Sequence, residues 1–347
     1  MPDRQVRHPL VELTLVRLRE FLREPEALFW SFAFPVLMAV ALGVAFRTQD
    51  PQPIPVGVLA GEGAAALVER LAGDPGLAPR EVDAAGADRA LRNGAVHLVV
   101  VPCDPPSYRY DPTRPEPRLA RLAADAALQR AAGRTDAFAA RELTEVPPGS
   151  RYIDWVVPGL IGLNIMSTGL WSIGFSIVNA RTRKLLKRLV ATPMRRSHFL
   201  LSHVLARLVF LALEVGLLVA FGTLALGTTL NGGLPSLAVV CLVGALSFGG
   251  LGLLVASRAK TIEAVSGWLN VVMLPMWLLS GVFFSSENFP AAMQPAISAL
   301  PLTALNDALR ANMIDGLGLA ALWPQLAVLA CWGIVPFAVA MRIFRWR

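Results

Sequence analysis

Long runs of apolar residues without a charge leave this chain few ways to fold. A bilayer core about 30 Å thick is crossed by about 20 apolar residues in a helix. Lipid offers the backbone no hydrogen-bond partner, so such a run must satisfy its own polar groups as a helix. Residues 27–46, 155–178, 234–257, 264–286 and 316–341 qualify, and 208–230 is interrupted only by Glu214. The sequence is 54% hydrophobic and 16% charged, with a mean hydropathy of +0.53, which lies outside the usual range of a soluble domain. The expected fold class is an α-helical polytopic membrane protein with six transmembrane helices, the first over 27–46 and five more within 153–347.

A seventh apolar run, 288–306, holds Pro290, Pro295 and Pro301. Each removes a backbone donor that lipid cannot replace, so 287–311 is expected to be a re-entrant segment. Six spans put both termini on one side. Both are basic, with Arg4, Arg7, Arg17, Arg19 and Arg23 in front and Arg342, Arg345 and Arg347 behind. The positive-inside rule makes that side cytoplasmic. Residues 1–26 contain an amphipathic stretch, 10–22, with Leu10, Leu18, Phe21 and Leu22 on one face and Glu12, Arg19 and Arg23 on the other. It is expected to lie along the inner membrane interface.

Residues 47–152 differ in composition, with 14 acidic and 13 basic residues and no Lys. A segment of this length crosses the membrane largely regardless of charge. Strand-like runs at 54–60, 80–82, 97–102 and 107–111 alternate with helical patterns at 62–72, 86–93 and 116–141. The expectation is a small extracytoplasmic α/β domain inserted after the first span. It holds a single cysteine, Cys103, and its one histidine, His97, has no Cys or His at ligand spacing. No metal site and no catalytic constellation is expected there.

The stretch "RTRKLLKRLVATPMRR" (181–196) carries seven basic residues and no acidic one. On a helix, Leu185, Leu186, Leu189 and Val190 share one face and Arg181, Arg183, Lys184, Lys187 and Arg188 the opposite one. Pro193 disfavours helix at Thr192 and should end it there. The segment 181–192 is therefore expected to be a short amphipathic helix between the second and third spans. The charge suits three uses: retention of the loop inside with contact to anionic lipid headgroups, docking of a cytoplasmic protein with an acidic groove, or nucleic-acid binding. The absence of interleaved aromatics argues against the last. The first two stay open on physical grounds.

Several stretches resemble the permease subunit of ABC-2 type ATP-binding-cassette transporters, in the branch with a large extracytoplasmic domain. "KRLVATPMRRSHFLLSHVLARL" (187–208) is similar to that family's signature loop and third-span entry. "VPGLIGLNIMSTGL" (157–170) looks like its second span, and "LPMWLLSGVFFSSENFP" (274–290) with "LPLTALNDALR" (300–310) resembles the fifth span and re-entrant hairpin. The resemblance implies that the loop helix is a coupling helix seated in a nucleotide-binding subunit, with Lys187, Arg188, Leu189, Thr192 and Pro193 at the contact. Family members often carry a Glu and a Gly-Thr pair just upstream, where this chain has Arg183, Lys184 and Leu185, which implies a partner with a more acidic cleft. The resemblance further implies a homodimer of permeases in a bacterial inner membrane, exporting its substrate.

The chain's three lysines, Lys184, Lys187 and Lys260, are none of them preceded by Gly, so no Walker A loop exists here. No cofactor is expected on this chain; ATP and Mg²⁺ would be bound by a separate ATPase subunit. Rival readings are an ion-gradient-driven secondary transporter and a membrane sensor or scaffold. Within the spans, Glu214, Asn164 and Asn270 are translocation candidates, with a structural polar contact as the alternative for each. Glu214 lies seven residues from Arg207, roughly 10 Å along the helix, and a pair between them is expected only across chains. Pro301, Asp307 and Arg310 are gate candidates, the last two as an i,i+3 ion pair closing the re-entrant hairpin. Gly244, Gly249, Gly250 and Gly252 in the fourth span could serve packing or dimerisation.

Overall fold

The computed structural model describes residues 9–46, 52–135, 149–182 and 196–343, together with positions 138, 143 and 147. The chain divides into a helical unit, Met1–Arg47 with Val146–Arg347, and a second unit, Thr48–Glu145.

Among its described residues the helical unit has α1 (Pro9–Leu22) and then six helices long and apolar enough to cross a membrane. These are α2 (Pro25–Ala45), α6 (Tyr152–Thr182), α7 (Arg196–Ala225), α8 (Leu234–Arg258), α9 (Ile262–Leu279) and α12 (Trp323–Ile343). Their bounds depart from the apolar runs where backbone chemistry outweighs hydropathy. Helix α9 stops at Leu279 because Gly281 takes a φ of 68°, a conformation that ends helices. The run 316–341 becomes helical only at Trp323, since Gly316 turns at a φ of 70° and Pro324 suits a first helical turn. Helix α7 starts much earlier than its apolar run and ends before Gly227, whose φ is 64°.

Helix α8 packs against α12, α6 and the shorter α11 (Pro301–Met313). Its four glycines all serve that packing. A Cβ at Gly244 would meet Leu305 at 2.8 Å, at Gly249 Ile173 at 3.0 Å, at Gly250 the Gly333 carbonyl at 2.6 Å, and at Gly252 the Leu170 carbonyl at 3.0 Å. The backbone of α8 thus approaches α6 on one side and α12 on another, as small residues permit in lipid.

The proline-rich run after α9 folds as 3-10 turns at Ser286–Asn288 and Ala291–Met293, the short α10 (Gln294–Ser298), and α11. Pro295 and Pro301 sit in the first turns of α10 and α11. A first-turn N–H has no intrahelical acceptor, so these prolines forfeit no helical bond; they start helices instead of breaking one. Helix α11 is about 20 Å long at 1.5 Å per residue, too short to cross. It is buried along nearly its whole length.

The second unit is a four-stranded sheet in the order β2-β1-β3-β4. Strands β1 (Ile54–Leu59), β2 (Leu77–Val82) and β3 (Leu98–Val101) are parallel, and β4 (Ser107–Arg109) is antiparallel to β3. Helices α3 (Ala64–Ala72) and α5 (Pro115–Ala131) cover Val56, Val58, Leu98 and Val100 on one face, while α4 (Ala84–Arg92) covers Val99 on the other. The period-2 alternation of the strands divides these residues between the faces. Strand β2 is longer than the 80–82 expected, because it is an edge strand and tolerates Pro79 opposite Val56. Helix α5 ends at Ala131 and not at 141: Gly133 adopts a φ of 94° and its N–H bonds the Arg130 carbonyl. The three cysteines are free.

Candidate functional site

Among the described residues of the helical unit, the candidate residues and their polar partners fall at three places. The first lies on α7, within its span Leu205–Ala225. Glu214 is 1% exposed and its Oε1 is 3.2 Å from Arg207 Nη1. Arg207 Nη1 also donates to Glu214 Oε2 at 3.4 Å, and Arg207 Nη2 donates to both Glu214 Oε2 and the Thr168 hydroxyl of α6. This corrects the expectation that the two charges meet only across chains. Seven residues separate the Cα atoms by about two turns, but a guanidinium and a carboxylate on long stems lean toward each other along one face and close that gap. Thr168 Oγ1 lies 2.7 Å from the Asn164 carbonyl and 3.2 Å from Glu214 Oε2, so its single proton has two acceptors.

One turn away on α6, buried Asn164 donates from Nδ2 to the Ser31 carbonyl at 3.1 Å. The reason is local to α2. Pro35 lacks the N–H that a regular helix would offer that carbonyl, and the chain widens into a π turn over Phe29–Ala33. Asn164 supplies the missing donor. The polar groups therefore run from α7 through α6 to α2, and both charges in them are compensated within the chain. Asn270, by contrast, is exposed on α9.

The second place is the segment just after α9. Three carbonyls there accept from other elements: Ser280 from Asn306 Nδ2 at 2.9 Å, Gly281 from Arg310 Nη2, and Phe283 from the Tyr152 hydroxyl at 2.8 Å. Arg310 is 6% exposed, its guanidinium lies 3.5 Å from the centroid of the Trp155 ring, and Nε reaches the Trp155 carbonyl at 3.4 Å. Asp307 is 3.8 Å away with its side chain 47% exposed. The i,i+3 pair thus exists but is loose, and what holds Arg310 is the Gly281 and Trp155 carbonyls together with an aromatic face. Close approach is again made possible by glycine, since a Cβ at Gly162 would collide with Asn306 Oδ1 and one at Gly159 would meet the Val282 carbonyl at 2.7 Å. Pro301 opens α11 and is buried.

The third place is the end of α6 that leads into the basic stretch. Arg181 was assigned to the polar face of a separate loop helix; here Arg181 and Thr182 continue α6. Arg181 Nη1 donates to the Ala256 carbonyl at 3.3 Å and to Ala259 at 2.8 Å, capping the end of α8. At the opposite end of α6, Arg151 does the same for α7, donating to Leu226 at 3.3 Å and Gly227 at 2.6 Å while Asp154 holds it at 2.9 Å. Cations suit helix C-termini, and α6 is pinned at both ends by them. The remaining coupling candidates, Arg183, Lys184, Lys187, Arg188, Leu189, Thr192 and Pro193, lie outside the described residues.

Sequence reasoning did not single out Thr168, Ser31, Arg151, Trp155 or Asn306. A signal existed for Ser31 alone, in Pro35 four residues later. Among the described residues no group of three His, Cys, Asp or Glu could hold a metal ion.

Six helices among the described residues, each long and apolar enough to cross a membrane, packed on an apolar core with polar contacts set into it and a short buried helix between them, define an integral multi-pass membrane protein. Its family follows from comparison with known proteins. The family model described as ABC-2 type transporter matches residues 125–314, more than half of the chain, and the chain belongs to that family. It is 25% identical over 198 residues to ABC transporter G family member 20 of Dictyostelium discoideum, covering 56% of this chain and 27% of that protein. It is 32% identical over 114 residues to Nodulation protein J of Rhizobium leguminosarum bv. viciae, covering 33% and 43%. To the probable multidrug ABC transporter permease YbhR of Escherichia coli (strain K12) it is 25% identical over 200 residues, covering 56% and 54%. The matched region spans about half or less of the length of these relatives.

Proposed function

We propose that the chain is the permease subunit of an ATP-driven exporter, working as a homodimer with two copies of a separate ATPase. The observation that carries this is the family match over 125–314, which includes α6 to α9 and the basic stretch between α6 and α7. The sequence supplies the complement: with no Gly before any of its three lysines it lacks a Walker A loop, so ATP and Mg²⁺ belong on the partner. Export is favoured by the relative named as a multidrug permease. The basic residues of 183–192 are the docking element, and the cytoplasmic side of a bacterial inner membrane is where they meet the ATPase. Against a gradient-driven mechanism, Glu214, the carboxylate well inside a span, is committed to Arg207 and is not free to carry an ion.

Charge reversal tests the docking element. The chain is purified from its native host with its associated proteins, as wild type and with Arg183, Lys184, Lys187 and Arg188 all changed to Glu. An ATPase chain that co-purifies with wild type and is lost from the variant supports the reading. Equal recovery from both would remove the basic face from the coupling contact.

A further inference from the structure

Helix α9 is held to its own chain along one side. Val265, Leu269, Met273 and Met276 are buried there, while Gly267, Asn270, Leu274 and Trp277, on the opposite side, are exposed. The spacing of these last residues, three then four then three, is that of the a and d positions of a heptad, so they lie in one stripe. A Cβ added at Gly267 would meet nothing within 4 Å. Asn270 is the ninth of the 18 residues of the span Ile262–Leu279, which sets its carboxamide near the middle of the hydrocarbon. It makes no hydrogen bond among the described residues. Asn164 and Glu214, also inside spans, are satisfied within the chain, the first by the Ser31 carbonyl and the second by Arg207.

We infer that α9 pairs along this stripe with α9 of a second copy of the chain, the two Asn270 side chains hydrogen-bonding to each other. This rests on the homodimer proposed above and names its contact. Acyl chains can cover Leu274 and Trp277 as well as protein does, but they offer a carboxamide neither donor nor acceptor. A two-fold axis along the membrane normal brings two copies together at equal depth, so a residue facing that axis meets itself. Such self-pairing disfavours a charge and suits Asn, whose side chain carries donors and an acceptor together. Gly267, about one turn away, lets the two backbones approach, and Leu274 and Trp277 continue the seam toward the C-terminal end of α9. A single Asn in an otherwise apolar heptad seam fixes the register of the helices and how many of them associate. Asn270 holds that place in the stripe.

Disulfide trapping of the full-length chain in membranes tests the contact, with Cys103→Ser, Cys241→Ala and Cys331→Ser as the background. Gly267→Cys and Leu274→Cys, each introduced alone and oxidised with copper phenanthroline, should give covalent dimers, because a disulfide forms only where the two Cα atoms come within about 7 Å. Trp268→Cys, exposed on another side of α9, should not. Sedimentation of the purified chain in micelles measures the dimer itself. Asn270→Val should weaken it about tenfold, and Asn270→Gln, which keeps donor and acceptor, should restore most of that loss. Dimers of unchanged affinity in Asn270→Val, or dimers that neither seam cysteine traps, would overturn the pairing of α9 and leave the homodimer standing. A chain that stays monomeric in both membranes and micelles would overturn both. Faster labelling of Asn270→Cys than of Leu246→Cys, at an exposed position of α8, by a membrane-impermeant maleimide would place Asn270 on a water-filled path and overturn the pairing as well.

Discussion

The buried pair on α7 makes a sharp quantitative prediction because its two charges are so unequally replaceable. Glu214 is 1% exposed and the Arg207 side chain 16%. Removing one partner of such a pair leaves the other buried without compensation, at about 3–5 kcal/mol, whereas replacing both by apolar groups of similar volume is close to neutral. Glu214→Leu leaves the less deeply buried Arg207 guanidinium facing only Thr168, so its expected loss is at the lower end, about 3 kcal/mol. Arg207→Met leaves Glu214 facing only Thr168 and belongs nearer about 4 kcal/mol. The double variant Arg207→Met with Glu214→Leu removes both desolvation and attraction and should fall within about 1 kcal/mol of wild type. The interaction energy of the cycle is then several times the roughly 0.5 kcal/mol scatter of independent sites. Reversible unfolding in mixed micelles, followed by circular dichroism, measures all of these variants. A double variant as unstable as the sum of the singles would show that the pair does not hold the two side chains as described.

Other perturbations follow from the same contacts. Gly250→Ala places a Cβ 2.6 Å from the Gly333 carbonyl, forcing α8 from α12, and should lose about 1–3 kcal/mol in the same unfolding assay. Gly216→Ala, with nothing within 4 Å, should be neutral or slightly stabilising, as alanine is the better helix former. Arg310→Lys puts a point charge where a planar fork reaches two carbonyls and a ring, and should lose about 1–2 kcal/mol, less than Arg310→Ala. In the α/β unit, burial, with the hydrogen bond that Tyr108 donates to Asp125 at 3.0 Å, pushes the Tyr108 phenol up to about 12. Its contribution to stability is thus fully present below pH 10 and lost as pH rises through 12. Ultraviolet titration should resolve it, with Asp125→Asn lowering the midpoint.

The spans were legible because lipid imposes a simple demand: enough apolar length and no unpaired backbone, which charge-free runs announce. Their ends were less so. Gly227, Gly281 and Gly316 stop or delay helices through a left-handed φ, which hydropathy does not register, and Pro301 reads as a breaker until it is seen at the start of α11. Glu214 stood out as a lone carboxylate in a span, but its partner was misjudged because axial rise was counted without the reach of the two side chains. The charge of Arg181 suits the loop's pattern, whereas the carbonyls it caps belong to a helix about 75 residues later and leave no local trace. The glycines of α8 were recognised as contact residues, and only their surroundings in three dimensions showed that the contacts lie within the chain.

The central claim is that this chain transmits force from an ATPase it does not contain. The mass of the complex recovered from native membranes tests that most directly. The account predicts two copies of this chain with two copies of an ATP-hydrolysing partner; a chain recovered alone, or with partners that do not hydrolyse ATP, would contradict it.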